Sequence, residues 1–531
     1  MNLQRSMPAV GTCLVLAWCL LLSSCAPRHP RDMEAIDSLR FQARMFLHEQ
    51  SLMDYESWAF GKISNQDSLY KANAGLFTRD NIALVTRAVD EEPDSIQQKR
   101  LRFFRRYLTL EYIAKQVASV RDRIDNYEAV ATCLVNSTRI PYRQIPGLLA
   151  NEQSAERRAA ISASLDPIMD TLTVLHREAW AMVYRLAADL GYPTYNAMEE
   201  ELLGFSLRDL GTVATAVLAE TDSLYAALLA EQLQTLHMSR EGFHRYDFGR
   251  LFRNERFDKF FPAAMTVEKV SATYRGLGLD LQSQPNLQID QEPRPQKNPR
   301  AACFSIDVPT DIRVSTKPVG GIGDYRALFH EMGHAQHYAN TTEHAVEFAY
   351  MGEPTVTETY AFLSEYLPAN QAWLRVHSPM PPAELRALLR YQTFNRLYFV
   401  RRYCAKFLCE YQLHSGTASP DSIYAAVLSG ALGYIPELSD RKRLFTDIDP
   451  NYYTAGYLRA WFLEAQLSAL LVGKFGVNWF EHPDAGTFLR GLWAFGDRLD
   501  GNELVHHLGY SNVAPDAWLA GVRATLQFAP R

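Results

Sequence analysis

The stretch "ALFHEMGHAQHYAN", Ala327 to Asn340, carries three histidines and a glutamate. On an α-helix, residues four apart share a face, so His330 and His334 present their imidazoles to one point in space. Glu331, one residue after the first histidine, is turned about 100° round the helix. That offset keeps its carboxylate off a metal ion held by the two imidazoles, yet within reach of a water bound there. In this pattern zinc lowers the pKa of water toward about 7 and a carboxylate collects the proton. Gly333 adds a constraint. Glycine costs a helix interior roughly 1 kcal/mol relative to alanine, so its presence predicts that something packs closely against the backbone there. With 14 histidines in 531 residues, such a motif arises by chance in roughly a few per cent of chains. A working site therefore needs a third protein ligand from elsewhere, with a fourth position left open.

The neighbouring sequence sets the frame. Upstream, "AACFSIDVPTDIRVSTKP" alternates β-branched residues around Pro309 and Thr310, which predicts a short hairpin or a pair of edge strands. The glycine-rich "VGGIGDY" follows, with Asp324 placed to cap a helix beginning near Tyr325. Downstream, "HAVEFAYMGEPTVTETYAFLSEYLP" offers His344, Glu347, Glu353, Glu358 and Glu365 as further ligands. His344 and Glu347 follow the first helix too closely to fold back. A second helix from about Pro354 to Pro368, joined by a 14-residue connection, brings its first turns beside His330 and His334. On these grounds Glu353 and Glu358 are both candidates.

Further out the chain reads as mainly α. From about Asp32 to Leu281 apolar residues recur at three and four, with breaks at Pro93, Pro141, Gly191-Tyr192-Pro193 and Gly211. The basic run Gln98 to Lys115 carries Leu101, Phe104, Leu108 and Tyr112 at helical spacing and reads as a solvated amphipathic helix. The polar stretch "QSQPNLQIDQEPRPQKNPR", Gln282 to Arg300, is the best boundary or exposed loop. The formal charge of −6 gives no electrostatic reason to expect nucleic acid as a partner.

The N-terminus has its own logic. Arg5, an apolar run from Val10 to Leu22 and small residues follow the order of a secretion signal. Leu22-Ser23-Ser24-Cys25 resembles a bacterial lipobox, which makes Cys25 a lipidated first residue. The resulting division is a signal peptide over 1–24, a lipidated tether over 25–31, a helical region over 32–295 and a catalytic region over 296–531. Four cysteines remain beyond the anchor: Cys133, Cys303, Cys404 and Cys409. Cys404 and Cys409 lie five apart in a helical pattern, beyond ordinary disulfide reach. Asn136-Ser137-Thr138 and Asn340-Thr341-Thr342 match a glycosylation pattern only weakly.

"FHEMGHAQH", followed by Glu358 in "TVTETYAFLSEYL", resembles the thimet oligopeptidase and oligoendopeptidase F family of zinc peptidases. Asp324 and the preceding strand with its glycine turn fit the same pattern, over about residues 296 to 368. The angiotensin-converting enzyme family also uses H-E-M-G-H, but usually lacks a histidine at the position of His337. The resemblance implies a large helical zincin-type body with a small β element beside the active-site helix and a deep substrate channel. It selects Glu358 as third ligand, with His330 and His334, of one Zn2+ per chain. Glu331 is then the catalytic base, and short peptides are the substrates.

The family also brings tyrosines to the metal from a later helix. Here "DIDPNYYTAGYLRAWFLEAQL" offers Tyr452, Tyr453 and Tyr457, of which Tyr453 and Tyr457 share a face, as two phenols aimed at one oxyanion should. The family's histidine upstream of these tyrosines is missing. His337 reads as a group behind the ligands, a substrate contact or a structural histidine, and His506-His507 as structural. Two alternatives accompany the peptidase reading. One is a dipeptidyl carboxypeptidase of the angiotensin-converting enzyme type; the other is a non-catalytic zinc-binding lipoprotein. The expected location is the periplasm or cell surface, membrane-anchored through Cys25.

Overall fold

The computed structural model of the protein describes residues 30–416 and 420–529. The signal segment and Cys25 lie outside the described residues. Among these residues are 22 α-helices and two small sheets. Eight helices position the site: α1 (Pro30–Phe60), α2 (Ser95–Val130), α3 (Tyr195–Leu203), α4 (Leu207–Thr235), α5 (Ile322–Ala339), α6 (Pro354–Glu365), α7 (Pro382–His414) and α8 (Tyr453–Phe475). The strands are β1 (Thr132–Val135), β2 (Thr138–Pro141), β3 (Leu287–Asp290), β4 (Ala302–Asp307) and β5 (Asp311–Ser315).

The mainly helical expectation holds, with local corrections. The hairpin β1–β2 interrupts the helical half, turning through Asn136 and Ser137 at φ 48° and 67°. Gly211 is not a break: it lies inside α4, where its missing side chain faces Phe407 of α7. The stretch 282–300 is only partly a loop, because β3 pairs in parallel with β5 and Lys297 is buried. This makes β5 the central strand of the order β3-β5-β4, with β4 antiparallel to it. Alternation explains the placement: Ile312 and Val314 of β5 are both fully buried beneath α5.

α2 buries Leu101, Phe104 and Leu108 as its spacing predicts, but its basic face is only partly solvated, with Arg102 exposed and Lys99 buried. Arg100 reaches Glu347, Arg106 donates to the carbonyl oxygen of Gly352, and Lys99 donates to that of Arg498. The first two bonds tie α2 to the segment between α5 and α6, and the third ties it to the C-terminal part of the chain at Arg498. α4 is long and apolar enough to cross a membrane by composition. It instead packs its buried face, Leu210, Val217, Leu228 and Leu229, into the core it shares with α7 and α8. Cys133, Cys303, Cys404 and Cys409 are all free thiols, as the spacing of Cys404 and Cys409 predicts for that pair.

Candidate metal centre

α5 begins three residues earlier than expected, at Ile322, and Gly321 is its N-cap. Asp324 therefore does not cap the helix. From its first turn it accepts the backbone N–H groups of Val319 and Gly320 at 2.5 and 2.6 Å. It thus fixes the glycine loop that leads in, where Gly320 and Gly321 have φ of 101° and 93°.

Gly333 is where α5 and α6 cross. A Cβ there would sit 2.4 Å from the carbonyl oxygen of Tyr360 and 2.6 Å from Cα of Ala361. No side chain fits, so the glycine sets the contact, and the contact delivers α6 to the histidines. Glu353 caps α6, accepting Thr355 N–H at 2.9 Å and Gly501 N–H at 3.3 Å. That role removes it as a ligand. Glu347 is also committed, buried against Arg40 at 2.5 Å.

Glu358 remains, a turn into α6 and 1% exposed. Its Oε2 lies 3.4 Å from His330 Nε2 and 3.6 Å from His334 Nε2, and has no hydrogen-bond partner. The three donor atoms lie within 4.8 Å of one another. A buried carboxylate oxygen without a donor is costly, and here it points to two imidazole nitrogens. The set is one that fits a metal ion.

The rear nitrogens are also held. His330 Nδ1 bonds Glu365 Oε2 at 3.0 Å, and Arg326 clasps the other Glu365 oxygen. His334 Nδ1 bonds Thr357 Oγ1 at 2.7 Å. A ligating histidine normally has such a partner, which fixes its tautomer and ring orientation. Burial works to raise the Glu365 carboxyl, but Arg326 and His330 win and hold it down at about 2. Burial lowers His330 while its bond to Glu365 and the nearby carboxylates raise it, to a net value of about 9. Burial, with the His330 cation beside it, holds His334 well below its ordinary value.

Glu331 turns away from the three donors, as its helical offset requires. Its Oε2 accepts the backbone N–H of Cys303 in β4 at 2.8 Å. Burial pushes its carboxyl up to about 7 against the pull of His330. His330 and Glu331 line a cleft of about 930 Å3, faced by Tyr403 of α7 and by Tyr457 and Trp461 of α8.

The expected tyrosines are both present. Tyr453 donates to Glu358 Oε1 at 2.5 Å, and its ring lies 5.0 Å from that of Tyr457. α8 starts from a kink: Asn451 and Tyr452 take left-handed φ values of 57° and 48°. The kink is held from α3, where Tyr195 Oη accepts Asn451 N–H at 2.9 Å and Asn196 accepts the Tyr452 hydroxyl at 2.5 Å. From α7, Glu410 accepts Asp449 N–H and the Thr454 hydroxyl, both at 3.0 Å.

His337 does not face this site. It is fully buried between the rings of Tyr338 and Tyr360, and burial pushes it down to about 4. His506, in the last turn of the helix Gly501–His507, is bonded to the carbonyl oxygen of Ser511. Reading the sequence missed Thr357, Tyr403 and the Cys303 N–H. Thr357 adjoins Glu358, so helical proximity was its only signal; Tyr403 and Cys303 had none. No protein-family model matches the chain, and no curated protein matches its sequence.

Proposed function

We propose that the protein is a zinc peptidase that hydrolyses short peptides, similar to thimet oligopeptidase and oligoendopeptidase F. The convergence of His330, His334 and Glu358, with His330 and Glu331 lining the cleft, carries this reading. Two imidazole nitrogens and one carboxylate form a zinc-type donor set with a position left for substrate or water. Zinc held there supplies Lewis acidity and a lowered water pKa. Glu331 takes the proton of the attacking water and hands it to the leaving amine. A carboxylate held one residue from a metal-ligating histidine and within the same cleft is placed to exchange that proton. The Cys303 N–H keeps it oriented, and Tyr453 or Tyr457 donates to the oxyanion of the tetrahedral species. The N-terminal pattern ending in Leu22-Ser23-Ser24-Cys25 supports an exported lipoprotein anchored through Cys25.

The test is hydrolysis of a quenched fluorescent peptide together with metal analysis of the purified protein. Glu331→Gln lowers kcat by about 10²–10⁴ and leaves about one zinc bound per chain. Full activity in that variant would overturn the mechanism. A wild-type protein without zinc or hydrolysis would overturn the assignment.

A further inference from the structure

Arg300 and Lys317 flank the open end of the β4–β5 hairpin, each two residues outside its last paired residues, Ala302 and Ser315. Among the described residues neither has a carboxylate within ion-pair distance. Asp290 of β3 pairs with Arg294 and Lys297. The acids of the cleft have other partners too: Asp258 pairs with Arg253 and Glu365 with Arg326, while Asp324 and Glu331 accept backbone N–H groups of Val319, Gly320 and Cys303. Lys317 Nζ meets only the carbonyl oxygen of Arg294, at 3.0 Å. Both cations line the cleft that holds His330 and Glu331, in a chain whose formal charge is −6. Two uncompensated cations on one wall of a cleft focus a field that draws an anion.

We infer that Arg300 and Lys317 form a carboxylate subsite of this cleft, a step that rests on the peptidase reading above. Its distance from the chemistry follows from β4. The strand meets Glu331 at the Cys303 N–H, 2.8 Å from the carboxylate. Arg300 lies three residues back, roughly 10 Å along an extended chain. A peptide lying extended on this wall delivers a carboxylate there when the group is about three residues from the scissile bond. The carboxylate is an Asp or Glu side chain, or the free C-terminus of a peptide that ends at that distance.

The test reads binding by fluorescence anisotropy on the full-length Glu331→Gln protein, so that no peptide is consumed. One arm scans Glu against Gln along a labelled peptide; the other compares free and amidated C-termini in peptides of stepped length. Glu at one position binding about tenfold tighter than Gln assigns the subsite to an acidic side chain. A tenfold loss on amidation at one length assigns it to the terminus. In either case the ratio falls to about one in Arg300→Ala/Lys317→Ala and is kept in Arg300→Lys. Equal binding throughout, or a preference that survives the double substitution, overturns the inference. Absence of hydrolysis by the wild type would instead sink the peptidase reading, and the binding comparison would still decide this one.

Discussion

His330, His334 and Glu358 sit on two helices that touch each other directly at Gly333. Tyr453 and Tyr457 sit on a third helix whose first turn is set by Tyr195 and Asn196, more than 250 residues earlier in the chain. The first half of the site is encoded by spacing within about thirty residues. The second depends on a kink that no local pattern requires. One half of the same cleft is therefore robust to changes elsewhere in the protein, and the other is exposed to them.

The sharpest way to break the first half is Gly333→Val. Its side chain would enter the backbone of Tyr360 and Ala361. Overpacking usually costs about 1–3 kcal/mol, and more against rigid backbone. The expected result is loss of bound metal together with a lowered unfolding midpoint, read by metal analysis and urea titration. Unchanged zinc content would show that the crossing does not set the ligand geometry. Tyr453→Phe probes the second half. It should lower kcat by about 10²–10³, the usual effect of losing one oxyanion donor, with KM little changed and metal retained. A normal kcat would leave Tyr453 only a buttress of Glu358.

Asn196→Ala joins the comparison from a distance. It removes the acceptor of the Tyr452 hydroxyl, and loosening the kink should lower kcat roughly tenfold, as small misplacements of a positioned group do. Zinc content should be unaffected. An equal fall in zinc and kcat would mean that the two halves are not independent.

At His337→Leu the expected effect is on stability alone and not on turnover. Its imidazole is held neutral by burial, at about 4 against an ordinary 6.5. The folded protein binds fewer protons than the unfolded chain between those values, so stability is full above pH 6.5 and falls as pH drops toward 4. Between pH 7 and 4.5 the wild type should lose roughly 2–3 kcal/mol more than the variant in urea unfolding. Parallel losses would place the acid-sensitive group elsewhere.

How much was legible follows the same division. The spacing His330–His334, the offset of Glu331 and the close approach at Gly333 are consequences of helical geometry, and each is found where the sequence puts it. The β3 strand was hidden because Leu287 to Asp290 is short and flanked by prolines. It is a strand only because β5 offers an edge to pair with. The basic face of α2 read as solvated because its carboxylate and carbonyl partners lie hundreds of residues away. His334 and His337 show the limit most plainly. They are three residues apart on one helix; one meets Thr357 and Glu358, and the other is sealed between two tyrosine rings.

The sequence by itself determined the helical class of the protein, the two imidazoles and the base on one helix, and the short list of carboxylates for the third position. Periodicity and fixed rise per residue do that without reference to the rest of the chain. Only the tertiary structure separated Glu358 from Glu353, since one caps its helix and the other faces the histidines. Only it gave Glu365 to His330, Cys303 N–H to Glu331 and Tyr453 to Glu358. Those choices depend on which surfaces of distant segments pack together, and packing brings side chains within 3 Å of each other whatever their separation in sequence.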